Sequence, residues 1–260
     1  MGKTSSSPNR RHQNPESERW VTAARPPALA PAEVHVWSFD LDVPHWRVHG
    51  LSALLSPDET DRAERFRFAR DRNRYIAGRG TLRELLAAYT GSAAAALRFA
   101  YGWRGKPALE GAGGEARHFN LAHASGRALL AVSGGPPLGV DLEEVVLVPD
   151  LDDVAATHFS AAEREQLSAL AGSERLAAFY RIWTRKEAYL KAVGDGLAAP
   201  LHAFSVSLPR DQPKLLAIEG DAAAAARWTV HHLEPAAGFV GALAVPAAIS
   251  VSRLRWPAPE

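Results

Sequence analysis

Two short segments set carboxylates and cations at spacings that suit metal-assisted phosphate chemistry. In Gly139-Val140-Asp141-Leu142-Glu143, a strand period of about two puts Asp141 and Glu143 on one face and Val140 and Leu142 on the other. Adjacent carboxylates repel unless a cation or a base lies between them. In Trp183-Thr184-Arg185-Lys186-Glu187-Ala188-Tyr189-Leu190-Lys191, helical spacing aligns Trp183, Glu187 and Lys191 along one face. Each segment also has a plain reading, as an acidic edge strand or a surface helix with a Glu–Lys pair. A third region adds Lys106-Pro107, where extended backbone lets an ammonium reach a phosphate as a point charge. Downstream, Phe119-Asn120-Leu121-Ala122-His123 ends on an imidazole that, taken singly, is a structural residue.

The 260 residues contain no cysteine, which excludes thiolate metal sites and cysteine nucleophiles and leaves oxygen and imidazole donors for a metal. The composition fits a reducing cytoplasm. Net charge is only +1, but it is unevenly placed. Arg62 to Arg83 holds eight arginines against Glu64 and Asp71, and Asp141 to Asp153 holds six acids and no base. A phosphate-seeking stretch and a cation-seeking stretch in one chain suit a phosphorylated ligand bound with a metal; two solvated faces are the competing reading. Five lysines stand against 25 arginines, and Lys106, Lys186 and Lys191 all fall in the segments above. The uncharged run Pro235–Ser252 is interrupted by glycine and proline and reads as a buried strand and a loop rather than a membrane span.

The elements that must position these residues follow from hydrophobic period. Strands are expected at 34–41, 97–101, 128–133, 139–145, 204–208, 228–233 and 239–245, and helices at 58–66, 71–89, 161–171 and 174–193. Ser56-Pro57-Asp58-Glu59 and Ser160-Ala161-Ala162-Glu163 are both capping boxes. A shift of 104 residues superposes them and also places Leu86 on Leu190 and Ala88 on Ala192, the mark of an internal duplication. The expected fold class is α+β, with two pseudo-symmetric lobes, each a small, mainly antiparallel sheet packed on helices. Residues 31–137 form the first lobe and 138–248 the second, with a flexible tail over 1–30 and another tail over 249–260. A ligand cleft between the halves is the natural site.

In order, Gly-Lys-Pro, Phe-Asn-Leu-x-His, Gly-Val-Asp-x-Glu and Trp-x-x-Lys-Glu-Ala-x-x-Lys resemble the surfactin-synthetase-activating type of 4′-phosphopantetheinyl transferase over about residues 33–246. The resemblance implies a pseudo-twofold monomer with magnesium (Mg2+) as cofactor, coenzyme A as substrate and an acyl or peptidyl carrier protein as partner. It implies metal carboxylates at Asp141, Glu143 and Glu187. It further implies 3′-phosphate contacts from Lys106 and His123, a basic contact from Arg62 nearby, and pyrophosphate binding by Lys191. Pro107 and Asn120 belong to the same substrate-binding motifs, and Trp183 and Lys186 are structural parts of the signature helix. Glu187, or a metal-bound water beside it, is the expected base for the carrier serine, and Lys191 is expected to stabilise the leaving phosphate. One departure is Ala122-His123-Ala124, where the family commonly has Ser-His-Ser, which puts a phosphate hydrogen bond in doubt. A non-catalytic homologue that binds coenzyme A or a carrier, and a magnesium-dependent phosphohydrolase, remain alternatives. Nucleic acid is not an expected partner, because the basic stretch lacks interleaved aromatics, and neither is a membrane.

Overall fold

In the computed structural model, which describes residues 19–102, 105–110, 118–194, 200–210, 212–246 and 248–257, the two halves repeat one element order. The first half runs through strand β2 (Glu33–Asp40), helices α1 (His45–Ser52), α2 (Pro57–Glu64) and α3 (Ala69–Thr90), and strands β3 (Phe99–Tyr101), β4 (Pro107–Leu109), β5 (His118–Ala124) and β6 (Arg127–Ser133). The second runs through β7 (Gly139–Glu144), α4 (Leu151–His158), α5 (Ala161–Ser168), α6 (Gly172–Val193), β8 (Phe204–Val206), β9 (Leu215–Ile218), a four-residue helix α7 (Ala222–Ala225), β10 (Thr229–Leu233) and β11 (Phe239–Val245). The sheet order β5-β6-β2 in the first half matches β10-β11-β7 in the second, and β3-β4 matches β8-β9. The long helices α3 and α6 each have 22 residues. The duplication expected from the capping boxes is thus visible as topology, in an α+β fold.

Strand alternation sorts the side chains into three cores. Trp37 and Phe39 of β2 and Leu130 and Val132 of β6 pack under α3 with Leu82, Leu85 and Leu86. Ala242 and Ala244 of β11 pack under α6 with Ile182 and Tyr189. Val34, Val36, Leu129 and Ala131 face Val140, Leu142, Leu243 and Val245 across a third core that joins the two sheets. The layers are therefore helix, sheet, sheet, helix.

The capping boxes do more than start helices. Glu59 accepts from the Ser56 amide at 3.1 Å, and Glu163 accepts from the Ser160 amide at 2.8 Å. Each carboxylate is also buried against a long helix. Glu59 pairs with Arg79 and with Arg83 (2.7 Å), whereas Glu163 pairs with Lys186 at 2.9 Å and accepts from the Val206 amide at 2.7 Å. Breaking such a buried pair costs on the order of 3–5 kcal/mol, because it strands the remaining charge.

Two expectations at the chain ends need correction. Residues 249–260 are not a tail throughout: Ser250–Arg255 forms β12, which lies parallel to β2 with Leu254 opposite Trp37. The described part of the leading segment is also tied down. Val21–Thr22 forms β1 beside β12, and the Trp20 indole donates to the Glu234 carbonyl at 2.9 Å. Residues 1–18 lie outside the described residues. Among the described residues no helix is long and apolar enough to cross a membrane.

Candidate active site

Strand β7 and helix α6 carry the acids, and a glycine lets them meet. At Gly139 a Cβ would lie 2.7 Å from the Lys191 carbonyl carbon and closer still to Ala188 O and Ala192 N. The strand therefore enters in backbone contact with the last turns of α6. Because Val140 and Leu142 belong to the core between the sheets, Asp141 and Glu143 point the other way, toward α6. This is the face assignment expected from the strand period.

Asp141 is 4% exposed, and its Oδ1 accepts from the Lys191 ammonium at 2.5 Å. Its Oδ2 is buried without a hydrogen-bond partner. Burial holds the Asp141 carboxyl above its usual range against the opposing pull of Lys191. Glu143 is raised by burial and then by the Asp141 charge, and the Trp183 side chain relieves part of this by hydrogen bonding. Glu187 is likewise raised by burial and then by Asp141. With Asp141 raising both Glu143 and Glu187, and with one orphaned oxygen on Asp141, the three carboxylates offer an all-oxygen donor set whose chemistry fits a hard divalent cation. Among the described residues, however, no group of three or more His, Asp or Glu side chains is gathered as a ready-made metal cage. The acids come within electrostatic reach of one another, while Lys191 sits on one of them.

Next to this cluster opens a cleft of about 570 Å³, lined among others by Arg62, Tyr75, Arg79, Pro107, His123 and Ser125. The Arg62 guanidinium lies over the Tyr75 ring, 5.6 Å from its centroid. His123 is held below the usual imidazole value by burial, then by the Lys191 and Arg62 charges, which ties the cleft to the acidic cluster. Leu121, His123 and Ser125 alternate along β5 and its turn, and all three face the cleft. Ala122 therefore faces away: it is 4% exposed in the core between the sheets, with Ala124 packed against that core. The doubt raised by the missing serines has a geometric answer, because these side chains do not line the cleft. Sequence reasoning missed Ser125, whose hydroxyl donates to Glu144 across the two halves.

Two expected residues sit elsewhere than anticipated, and a third is where it was expected. Asn120 is buried, and its Oδ1 accepts from the Val140 amide at 2.9 Å, so it bolts β5 to β7 rather than lining the cleft. The Lys106 ammonium donates to the main-chain carbonyls of Leu138 at 3.0 Å and Lys191 at 2.5 Å, beside a second pocket of about 390 Å³ that includes His118. Lys186 is fully buried on Glu163 and the carbonyls of Leu201 and Phe204, in the structural role expected. The arginine stretch divides as well: Arg79 and Arg83 bind Glu59, Arg74 binds Asp42 and Arg70 lies by Asp71, while Arg62 and Arg65 line a pocket with Phe66.

Comparison with known proteins places the chain in a family. The 4′-phosphopantetheinyl transferase superfamily model matches residues 137–244, and the model of the N-terminal region of 4′-phosphopantetheinyl transferases matches residues 44–134. The 4′-phosphopantetheinyl transferase HetI of a Nostoc species is 39% identical over 224 residues, 85% of this chain and 92% of the relative. The chain belongs to the 4′-phosphopantetheinyl transferase family. The transferase Sfp of Bacillus subtilis is 30% identical over 61% of this chain and 69% of its own length. A putative 4′-phosphopantetheinyl transferase of a Synechocystis species is 36% identical over 64% of this chain and 67% of its own. In this phosphopantetheinyl transferase the two family matches meet near the β6–β7 junction, between the repeated halves. The superfamily match contains all three acids and Lys191, and the N-terminal match contains Arg62, Lys106, Pro107, Asn120 and His123.

Proposed function

We infer that this transferase moves the 4′-phosphopantetheine arm of coenzyme A onto a serine hydroxyl of an apo acyl or peptidyl carrier protein. It works as a cytoplasmic monomer with magnesium at Asp141, Glu143 and Glu187. The observation that carries the reading is the cluster of three carboxylates, each raised by burial and two of them also by Asp141, beside the cleft of Arg62 and His123, in a chain whose two halves both match the family.

Bound magnesium supplies charge neutralisation for the pyrophosphate and orients the phosphorus for in-line displacement. The chain's own residues do the rest. Arg62 and His123 line the cleft where a phosphate of coenzyme A binds. Glu187, with its carboxyl raised toward neutrality by burial, accepts the proton of the carrier serine. The serine oxygen forms a bond to the phosphorus that bears the pantetheine arm, and the bond from that phosphorus to the bridging oxygen breaks. Adenosine 3′,5′-bisphosphate leaves, and Lys191 offsets the charge that grows on it. Trp183 lies beside Glu143 at one pocket and offsets part of the rise in its carboxyl.

Incubation with apo carrier, coenzyme A and magnesium tests the reading. A carrier mass gain of one phosphopantetheine group supports it. Coenzyme A binding without any gain on several carriers makes the chain a binding module instead. Release of phosphopantetheine without a carrier makes it a hydrolase.

A further inference from the structure

We propose that Lys106 acts as a positioning residue that fixes the catalytic apposition of β7 and α6 through its main-chain contacts. The proposal rests on the transferase reading above.

Lys106 precedes β4 in the first half of the chain, yet its ammonium reaches into the second. It donates to Leu138 O, the residue before β7, and to Lys191 O, in the last turn of α6. These two elements carry Asp141, Glu143, Glu187 and Lys191, so one side chain ties together the two backbones from which every reacting group projects. The contact has a physical basis on both sides. The last carbonyls of a helix lack intrahelical partners, and a cation there complements the helix dipole. The Leu138 carbonyl lies where β7 must approach α6 at the closeness Gly139 permits. Asn120 adds a second bolt two residues along β7, at the Val140 amide, while Lys191 closes onto Asp141 from the helix side. Removing the ammonium frees the entrance of β7 to drift from α6 while Arg62 and His123 stay in their cleft.

A phosphate ligand and a positioning residue respond differently when the 3′-phosphate is absent. The test compares coenzyme A with 3′-dephospho-coenzyme A as donors, for the full-length protein and its Lys106→Met variant. Positioning predicts a kcat lower by about 10- to 100-fold on both donors, from misplacement of about 1 Å at the acids. It also predicts KM for each donor within about two-fold of the unsubstituted protein. The proposal is overturned if the variant loses binding of coenzyme A alone, with kcat and dephospho-coenzyme A use unchanged. Should Lys106→Met fail to fold, Lys106→Gln decides by the same comparison. It removes the charge but keeps donors for the carbonyls, so positioning predicts a milder fall, equal on both donors. A phosphate ligand predicts a loss confined to coenzyme A. Turnover of coenzyme A by the unsubstituted protein, measured alongside, tests the transferase reading separately.

Discussion

Replacing Gly139 with alanine is the smallest change that should part the acidic strand from the helix. The new Cβ would stand 2.7 Å from the Lys191 carbonyl carbon, where ordinary contact begins at 3.4 Å, and nearer to Ala188 O and Ala192 N. All three obstacles are backbone atoms, so no side chain can turn aside. Strand and helix must separate by about 1 Å, and overpacking of this kind costs roughly 1–3 kcal/mol. The same separation moves Asp141 and Glu143 relative to Glu187 and Lys191, and misplacement of that size lowers turnover by about 100-fold. Urea unfolding and a carrier-transfer assay read the two effects separately. The expected variant folds, with a lower unfolding midpoint, binds coenzyme A through the untouched Arg62–His123 cleft and transfers poorly. Unchanged stability together with unchanged kcat would refute the close apposition of β7 and α6.

Other predictions follow from single features. Glu187→Gln should lower kcat by about 100-fold or more while leaving coenzyme A affinity within about two-fold, because it removes the proposed base and cation ligand without touching the cleft; equal losses in both, by calorimetry and kinetics, would move Glu187 into substrate binding. Ala122→Ser should not tighten coenzyme A binding and should cost about 1–3 kcal/mol, since the hydroxyl enters the core between the sheets; tighter binding with stability intact would place position 122 at the ligand. Burial and Arg253 hold His231 down to about 4, below its unfolded value near 6.5. The unfolded chain therefore takes up the proton first, and stability present above about pH 6.5 falls as pH drops toward 4, by on the order of 3 kcal/mol for this group. His231→Phe should flatten the acid limb of the stability profile, and an unaltered limb would contradict the assignment.

Much of the site was legible because it depends on local period. The faces of Asp141 and Glu143 followed from two-residue alternation, and α6 followed from its apolar spacing; both are found as expected. What was not legible depends on contacts distant in sequence. Lys106 meets a carbonyl 85 residues away, and nothing in Gly-Lys-Pro distinguishes a main-chain oxygen from a phosphate as its acceptor. The arginines that bind Glu59 could not be told from solvent-facing ones, because a capping-box glutamate reads as a local feature. Strand β12 leaves no local mark as a strand, because its pairing partner, β2, lies more than 200 residues earlier and the pairing is parallel. Strand β5 carries a weak strand signal, because asparagine, a poor strand former, stands at its centre and accepts from the Val140 amide.

The central claim is that Asp141, Glu143 and Glu187 jointly hold a divalent cation that transfer requires. Manganese titration followed by its electron spin resonance, run beside carrier transfer on the unsubstituted protein, Asp141→Asn and Glu187→Gln, tests it most directly. The account predicts one bound ion in the unsubstituted protein in the presence of coenzyme A, much weaker binding in both variants, and transfer that falls in step with occupancy and stops with chelator. Full transfer by either variant, or transfer that persists in chelator, would contradict it.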